Sequence, residues 1–385
     1  MTQATLQAEH NASVAKLCIA LELGGTRWKL VASSGGTKIT ETSVPAGDIE
    51  GLEQKIRAAR ARHGLPSEAP VVSCYEAGRD GFWVHRELER CGVQNVVVDS
   101  SSIEVNRRAR RAKTDRLDGR KLLTMLWRYE VGERTVWRVV RVPTPGEEDA
   151  RRLHRELDRL IKERTAHVNR IRALLVLHGL GHSIGRRTVT ARTALAHIAT
   201  CTLRDGQPLP PQLRAEIERE GQRWELVDAQ IRTLEAERQH RLQTTETAPA
   251  RQVQQLTRLQ AIGEPSAWLL VQEIFAWRQL RNRREAGALV GLTPTPYASD
   301  GSQREQGISK AGNRHVRRVL IQLAWGWLRY QPQSALSQWF QARFGHGQGR
   351  MRRVGIVALA RRLFIALWRF VAFGVVPDGA RLRAA

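Results

Sequence analysis

The spacing of hydrophobic positions changes character along the chain. Leu17 to Leu23 and Trp28 to Ser33 read as two short strands around Gly24-Gly25, a hairpin signal. A helical stretch follows near Gly51 to His63, then the apolar run Val71 to Tyr75, a helix near Phe82 to Cys91, and the run Val96 to Val98. Strands alternating with helices predict an α/β sheet. Residues 1–16 are polar and without pattern, and are expected to be disordered.

Beyond Glu147 the period becomes helical. Leu157, Ile161, Val168, Ile171 and Leu175 fall on a 4,3 spacing interrupted by Arg164, which predicts a long amphipathic helix through Leu177. Leu213, Ile217, Trp224, Val227, Ile231 and Leu234 form a second stripe, after a connection containing Pro208, Pro210 and Pro211. The two stripes predict an antiparallel helical hairpin, paired within the chain or between subunits. Thr244 to Ala250 reads as a linker. Leu256 to Leu280 then opens a helical unit whose turn, Ile262-Gly263-Glu264-Pro265, either aims backbone N–H groups at phosphate or simply breaks a helix. Arg314 to Tyr330, Ser334 to Phe344 and Arg350 to Phe373 read as helices rich in tryptophan and arginine. The expected division is an α/β domain over 17–145, a coiled-coil hairpin over 146–245, a mainly α-helical domain over 250–345 and a helical extension over 346–385.

Charge narrows the choice of partner. The 385 residues carry 62 Lys+Arg against 38 Asp+Glu, a formal +24, and the surplus is almost wholly arginine, whose planar fork suits phosphate oxygens. A nucleic acid is the expected partner, ahead of a membrane surface. Cys18, Cys74, Cys91 and Cys201 form no CxxC pair and are read as buried thiols in a reducing compartment. The apolar stretch Val354 to Val376 is interrupted by Arg361, Arg362 and Arg369, so a soluble, cytoplasmic protein is expected.

Candidate chemistry resides in four carboxylates. A two-metal phosphodiester site needs several carboxylates converging on one point, because the cations would otherwise repel each other. Glu22 sits in the first strand, Glu76 directly follows the apolar run Val71 to Tyr75, and Asp115 and Asp118 stand three apart at the start of a predicted helix, sharing its face. Taken singly, each suits a solvated strand end or a helix dipole. Their combination with the basic run Arg107, Arg108, Arg110, Arg111 and Lys113 favours a metal site beside a phosphate backbone. Asp99 competes, but the serines after it suit a turn or cap.

Two motifs carry a family resemblance. Ala112-Lys113-Thr114-Asp115-Arg116-Leu117-Asp118-Gly119 resembles the Lys-Thr-Asp-x-x-Asp signature of the DEDD transposases of bacterial insertion sequences, whose RNA-guided members are called bridge recombinases. Gly291-Leu292-Thr293-Pro294 through Gly307-Ile308-Ser309-Lys310-Ala311-Gly312-Asn313-Arg314 resembles that family's C-terminal signature, the more specific of the two. The resemblance spans about residues 17 to 345. It implies an RNase H-like N-terminal domain, similar to Holliday-junction resolvases, in which Glu22, Glu76, Asp115 and Asp118 hold Mg²⁺ or Mn²⁺. Many members carry aspartate where this chain has Glu22.

The resemblance also implies a serine nucleophile, which Ser299 in Tyr297-Ala298-Ser299-Asp300-Gly301 matches by position. The usual Ser-Gly is Ser-Asp here, and Ser302 stays an alternative. Serine needs activation, and no histidine lies near it in sequence, so Arg304, Lys310 and Arg314 are candidates to stabilise the phosphoryl transition state, with Asn313 a further nucleic-acid contact. By resemblance, the acidic domain of one protomer meets the serine domain of another in a homo-oligomer, a dimer or a dimer of dimers. DNA, as element ends and target, is exchanged through a covalent serine–DNA intermediate. No sequence-reading DNA module is evident, and the resemblance implies a structured guide RNA. Two other readings stay open: a metal-dependent junction nuclease using water, and a catalytically silent binding protein derived from a transposase.

Overall fold

The computed structural model describes residues 15–35, 37–78, 81–103, 115–181, 190–299, 302–310 and 312–383. The basic run Arg107, Arg108, Arg110, Arg111 and Lys113, and most of the N-terminal segment expected to be disordered, lie outside the described residues. The chain divides into two compact units, 1–143 and 144–385.

The first unit is a three-layer α/β structure. Its sheet comprises β1 (Leu17–Leu23), β2 (Arg27–Ser33), β3 (Thr40–Pro45), β4 (Val71–Glu76) and β5 (Gln94–Val98), in the order β3-β2-β1-β4-β5. The first three strands run antiparallel, and β4 and β5 join parallel to β1 through α1 (Ile49–Arg62) and α2 (Trp83–Arg90). Alternation along each strand sorts the core. Leu17, Ile19, Leu21, Val71 and Tyr75 pack with Leu52, Ile56, Val84 and Leu88 of α1 and α2. Cys18, Ala20, Val31, Val72 and Cys74 pack on the other face against Leu122, Leu123 and Leu126 of α3 (Asp115–Glu130). Because β1 and β4 are covered on both faces, they read in sequence as nearly unbroken apolar runs. The edge strand β3 left no such trace, since only Val44 of its residues is buried.

The second unit begins with a capped turn. Thr144 and Glu147 form a reciprocal capping box around α4 (Pro145–Asp149), and α5 (Arg152–Val176) follows. After α6 (Ala191–Ala199), α7 (Pro211–Thr244) returns along α5. Arg164 faces Asp228 at 3.5 Å, His167 faces Glu220 at 2.6 Å and Arg170 faces Glu216 at 2.6 Å, so the numbers rise on one helix as they fall on the other. The helices are antiparallel. The stripe on α7 is buried from Leu213 to Ile231, with Leu234 half-buried, but on α5 the buried face runs through Leu153, Leu157, Leu160, Ile171, Leu174 and Leu175, and Ile161 is exposed. The straight helical period of 3.6 carries the 4,3 series off the contact face.

The remaining helices, α8 (Ala248–Thr257), α9 (Glu264–Leu270), α10 (Arg283–Leu289), α11 (Arg314–Tyr330), α12 (Ala335–Phe344) and α13 (Gly349–Phe373), enclose one core with the hairpin β6 (Pro294–Ser299) and β7 (Ser302–Ile308) beside it. Two expectations of domain structure differ here. Residues 346–385 are not an appendage, because Leu363, Phe364 and Leu367 of α13 are fully buried in that core. Nor do the helical pair and the C-terminal domain separate, since they form one compact unit. At the turn before α9, the first helical position is Glu264, which Arg238 holds at 2.9 Å, so the chain's own carboxylate takes the place considered for phosphate. Cys18 and Cys74 are buried, whereas Cys91 is exposed and hydrogen-bonds Glu53. Among the described residues no helix is long and apolar enough to cross a membrane.

One close approach tests the first unit. A Cβ on Gly119 of α3 would stand 2.8 Å from Val31 Cγ2 of β2. Gly119→Val is expected to lift α3 off the sheet and cost about 1–3 kcal/mol, measured by urea unfolding of the purified protein.

Candidate active site

The register of two parallel strands sets the acidic end of the sheet. Leu21 of β1 lies beside Tyr75 of β4, so the next residues, Glu22 and Glu76, stand side by side at the strands' carboxyl ends. Alternation puts both on the face of Cys18, Ala20, Val72 and Cys74, which α3 covers. The last residue of α3, Glu130, meets Lys16 just before β1 at 2.6 Å. Gly119 sits over Val31, the register partner of Ala20. The helix therefore runs antiparallel to β1, and its N-terminus, with Asp115 and Asp118, lies toward the end of the sheet that bears Glu22 and Glu76.

Local surroundings differ among the acids. Glu22 is half-buried, with Oε2 shielded from solvent, and lies in register with Lys29 of β2. Glu76 is exposed and Asp118 half-buried, while the side chain of Asp115 lies outside the described residues. The donor set is four carboxylates without nitrogen or sulfur, which fits a hard cation such as Mg²⁺ or Mn²⁺ in type. Among the described residues, no three His, Cys, Asp or Glu side chains are already gathered into a metal-holding group. Asp99, the competing acid, serves a turn. Its carbonyl accepts from Ser102 N and Oγ at 2.9 and 2.7 Å, and its carboxylate faces Arg138 at 3.4 Å.

The serine segment proves to be a β-hairpin rather than an isolated turn. Ser299 and Ser302 are register partners at its tip, and Tyr297 pairs with Arg304, so positions 297, 299, 302 and 304 share one face of the ribbon. The side chains of Ser299, Ser302 and Arg304 lie outside the described residues. Lys310 and Arg314 are exposed, but they flank the hairpin's base, about 17 Å from Ser299 by strand rise. Within one chain the hairpin thus sets Arg304 near the serines and keeps Lys310 and Arg314 away from them.

At that base the two halves of the C-terminal signature close on each other. Ser309 N donates to Thr293 O at 2.9 Å, Lys310 N to Gly291 O at 3.2 Å and Asn313 N to Leu289 O at 3.3 Å. Lys310 has a positive φ of 55°, and Gly312 one of 80°. A Cβ on Gly312 would lie 2.0 Å from Leu289 O, so no other residue fits there.

Asn313 is committed to this scaffold. Its Oδ1 accepts from His315 N and Val316 N to cap α11, and its Nδ2 donates to Glu273 at 2.7 Å. Glu273, on a π-helical turn Val271–Phe275, is 1% exposed. Its carboxylate also accepts from His154 Nε2 at 2.8 Å and from Arg155 Nε and Nη2 at 2.7 and 2.9 Å. A carboxylate can only accept here, so the Nε2 of His154 carries the proton. Nearby, Asp158 binds Lys162 at 2.8 Å, and Arg318 and His315 of α11. Periodicity concealed this cluster, since Glu273 stands inside the largely apolar run Leu269–Phe275 and its partners lie far along the chain, His154 and Arg155 more than a hundred residues away and Asn313 40.

Residues 253–338 match the model of the family described as Transposase IS116/IS110/IS902. The chain is 42% identical to "Putative transposase y4rJ" of Sinorhizobium fredii, over 95% of this chain and 94% of that protein. The chain belongs to this transposase family. It is also 31% identical to the transposase for insertion sequence element IS1328 of Yersinia enterocolitica, over 60% of this chain and 66% of that protein. The matched segment of the transposase runs from α8 to α12 and includes Glu273, both serines and the whole C-terminal signature.

Two outcomes test the scaffold. Gly312→Ala is expected to destabilise the transposase by about 2–4 kcal/mol, seen as a lowered urea midpoint. For Glu273, burial pushes the carboxyl up, but the hydrogen bonds and charges of His154 and Arg155 outweigh it and hold the group well below the ordinary 4.5. A depressed pKa contributes stability above pH 4.5 that drains away as pH falls below it. Glu273→Gln should cost about 3 kcal/mol at pH 7 and flatten the loss of stability below pH 4.5, read from melting temperatures across pH 3 to 7.

Proposed function

We propose that this transposase cuts and rejoins DNA with a serine nucleophile and a divalent cation. The observation that carries the proposal is the placement of Glu22 and Glu76 side by side at parallel strand ends, beneath the end of α3 that bears Asp115 and Asp118. The strand order β3-β2-β1-β4-β5, with three antiparallel strands followed by two parallel ones, supports an RNase H-like reading of the first unit.

In this reading Glu22, Glu76, Asp115 and Asp118 would hold Mg²⁺ or Mn²⁺. The cation supplies Lewis-acid polarisation of a phosphoryl oxygen and stabilises a leaving oxygen. Lys29, opposite Glu22, limits mutual repulsion among the acids. Ser299 attacks phosphorus, and its Oγ–P bond forms as the P–O bond to one deoxyribose breaks. The serine proton ends on the released hydroxyl. Attack by another strand's hydroxyl on the phosphoserine reverses the exchange, so one ester replaces another without net hydrolysis. Arg304, on the same face of the ribbon, stabilises the charge developing on phosphorus. Ser302 is in register with Ser299 at the tip of the ribbon, which keeps it as the alternative nucleophile. The +24 charge suits DNA and a structured guide RNA together, and a homo-oligomer supplies the several catalytic centres that strand exchange requires.

Denaturing gels of the transposase with a nicked, labelled DNA substrate in Mg²⁺ test this. A protein–DNA adduct is expected, reduced at least about a thousandfold in Ser299→Ala and retained in Ser302→Ala. Asp118→Asn should abolish cleavage without loss of DNA affinity. Cleavage by Ser299→Ala at the wild-type rate, without adduct, would establish water as the nucleophile.

A further inference from the structure

The second unit contains a cleft of about 1030 Å³ beside the base of the β6–β7 hairpin, where Pro294, Thr295, Gly307 and Ile308 form part of its wall. Its lining includes seven arginines and a single carboxylate, that of Asp378. Arg350, Arg353, Arg361, Arg362 and Arg369 come from α13, and Arg283 and Arg284 come from α10. Among the described residues none of the seven makes an ion pair. So many cations around one carboxylate repel each other, and a polyanion relieves that repulsion. Along α13 the arginines stand 3, 8, 1 and 7 residues apart, at or next to whole numbers of helical turns except for the adjacent pair Arg361-Arg362, so they flank the cleft over roughly 28 Å of helix.

The floor between them is apolar, with Leu336, Val357 and Ile365, and the half-buried Trp339 beside them. The Arg362 guanidinium lies 3.9 Å from the Trp339 ring centroid, a flat cationic platform on which a base can stack. A duplex presents phosphates but hides the faces of its bases, so it would leave this floor unused. An unpaired strand uses both.

We propose that this cleft binds an unpaired DNA strand leading to the serine hairpin. The inference rests on the serine reading above, because the wall of the cleft continues into the strands that carry Ser299 and Ser302. From Thr295 to Ser299 is about 13 Å along β6, so a strand seated in the cleft ends within a few nucleotides of the tip. The DNA cut by the tip must be unpaired beside its scissile phosphate when it is exchanged. RNA of the same sequence shares the phosphates and bases, and is therefore an arm of the test.

The test uses full-length protein and fluorescein-labelled 20-mers: single-stranded DNA, the same sequence as RNA, and duplex DNA. The variant R350A/R353A/R369A is compared with R192A/R219A/R232A, which removes equal charge from exposed positions of α6 and α7. The cleft variant is expected to bind single-stranded DNA at least tenfold more weakly, with a salt slope shallower by about 2, and to bind duplex within twofold of wild type. The control variant should change single-strand binding less than threefold. Equal losses in both variants, an equal loss for duplex, or a loss confined to RNA would overturn the proposal. Photocrosslinking of wild type with a 5-iododeoxyuridine strand gives a second measure that no variant's folding can confuse. Adducts in the peptide bearing Trp339 support the cleft, and adducts elsewhere alone refute it. If the cleft variant binds normally while Ser299→Ala still abolishes the covalent adduct, the cleft proposal fails and the serine reading stands.

Discussion

Parallel pairing of β1 with β4 is the constraint from which the candidate chemistry follows. Two adjacent parallel strands bring their carboxyl ends to one edge, and each needs a crossover helix that covers a face of the sheet. Burial on both faces demands the nearly unbroken apolar runs Leu17–Leu21 and Val71–Tyr75, whose one polar member, Ser73, is buried and hydrogen-bonded to Asn95, and this leaves the first charged position after each run at the same edge. Glu22 and Glu76 occupy those positions. Slipping the register by one residue would move Glu76 to the opposite face, away from α3, and bury a charge against α1 and α2. The core thus enforces the juxtaposition, whatever the acids do.

In the second unit a charge inside the protein plays the comparable part. Burying Glu273 without partners would be costly, and the cost is offset because His154, Arg155 and Asn313 fill its oxygens with hydrogen bonds. Each donor comes from an element that must be placed correctly: His154 and Arg155 from the start of α5, Asn313 from the cap of α11. The signature Gly312-Asn313 is therefore a structural device as much as a recognition motif. Gly312 admits the backbone close to Leu289, and Asn313 closes the helix and reaches the buried carboxylate. The hairpin with Ser299 and Ser302 projects from this fixed base.

Carboxylates are scarce in this arginine-rich chain, and their use is uneven. Along α5 and α7 they answer arginines across the helical pair, as Glu216 and Asp228 do. The cleft beside α13 has seven arginines and one carboxylate. Surface ion pairs contribute little stability, so the separation matters mainly for where a polyanion is drawn.

The sequence by itself determined the elements whose period is strong and local. The apolar runs of β1, β4 and β5, the two long stripes of α5 and α7, and the late helices α11 to α13 were all legible, because burial of one face imposes a repeat on neighbouring residues. It also singled out the four acids and Ser299, though through motif resemblance more than through spacing. Only the tertiary structure decided that Glu22 and Glu76 lie side by side, that β6 and β7 pair Ser299 with Ser302, that α13 is core rather than appendage, and that Glu273 gathers donors from 118 and 40 residues away. Those facts depend on pairings between distant segments. A pairing partner leaves no period in the sequence, since the free energy that selects it comes from packing and desolvation shared by both segments at once.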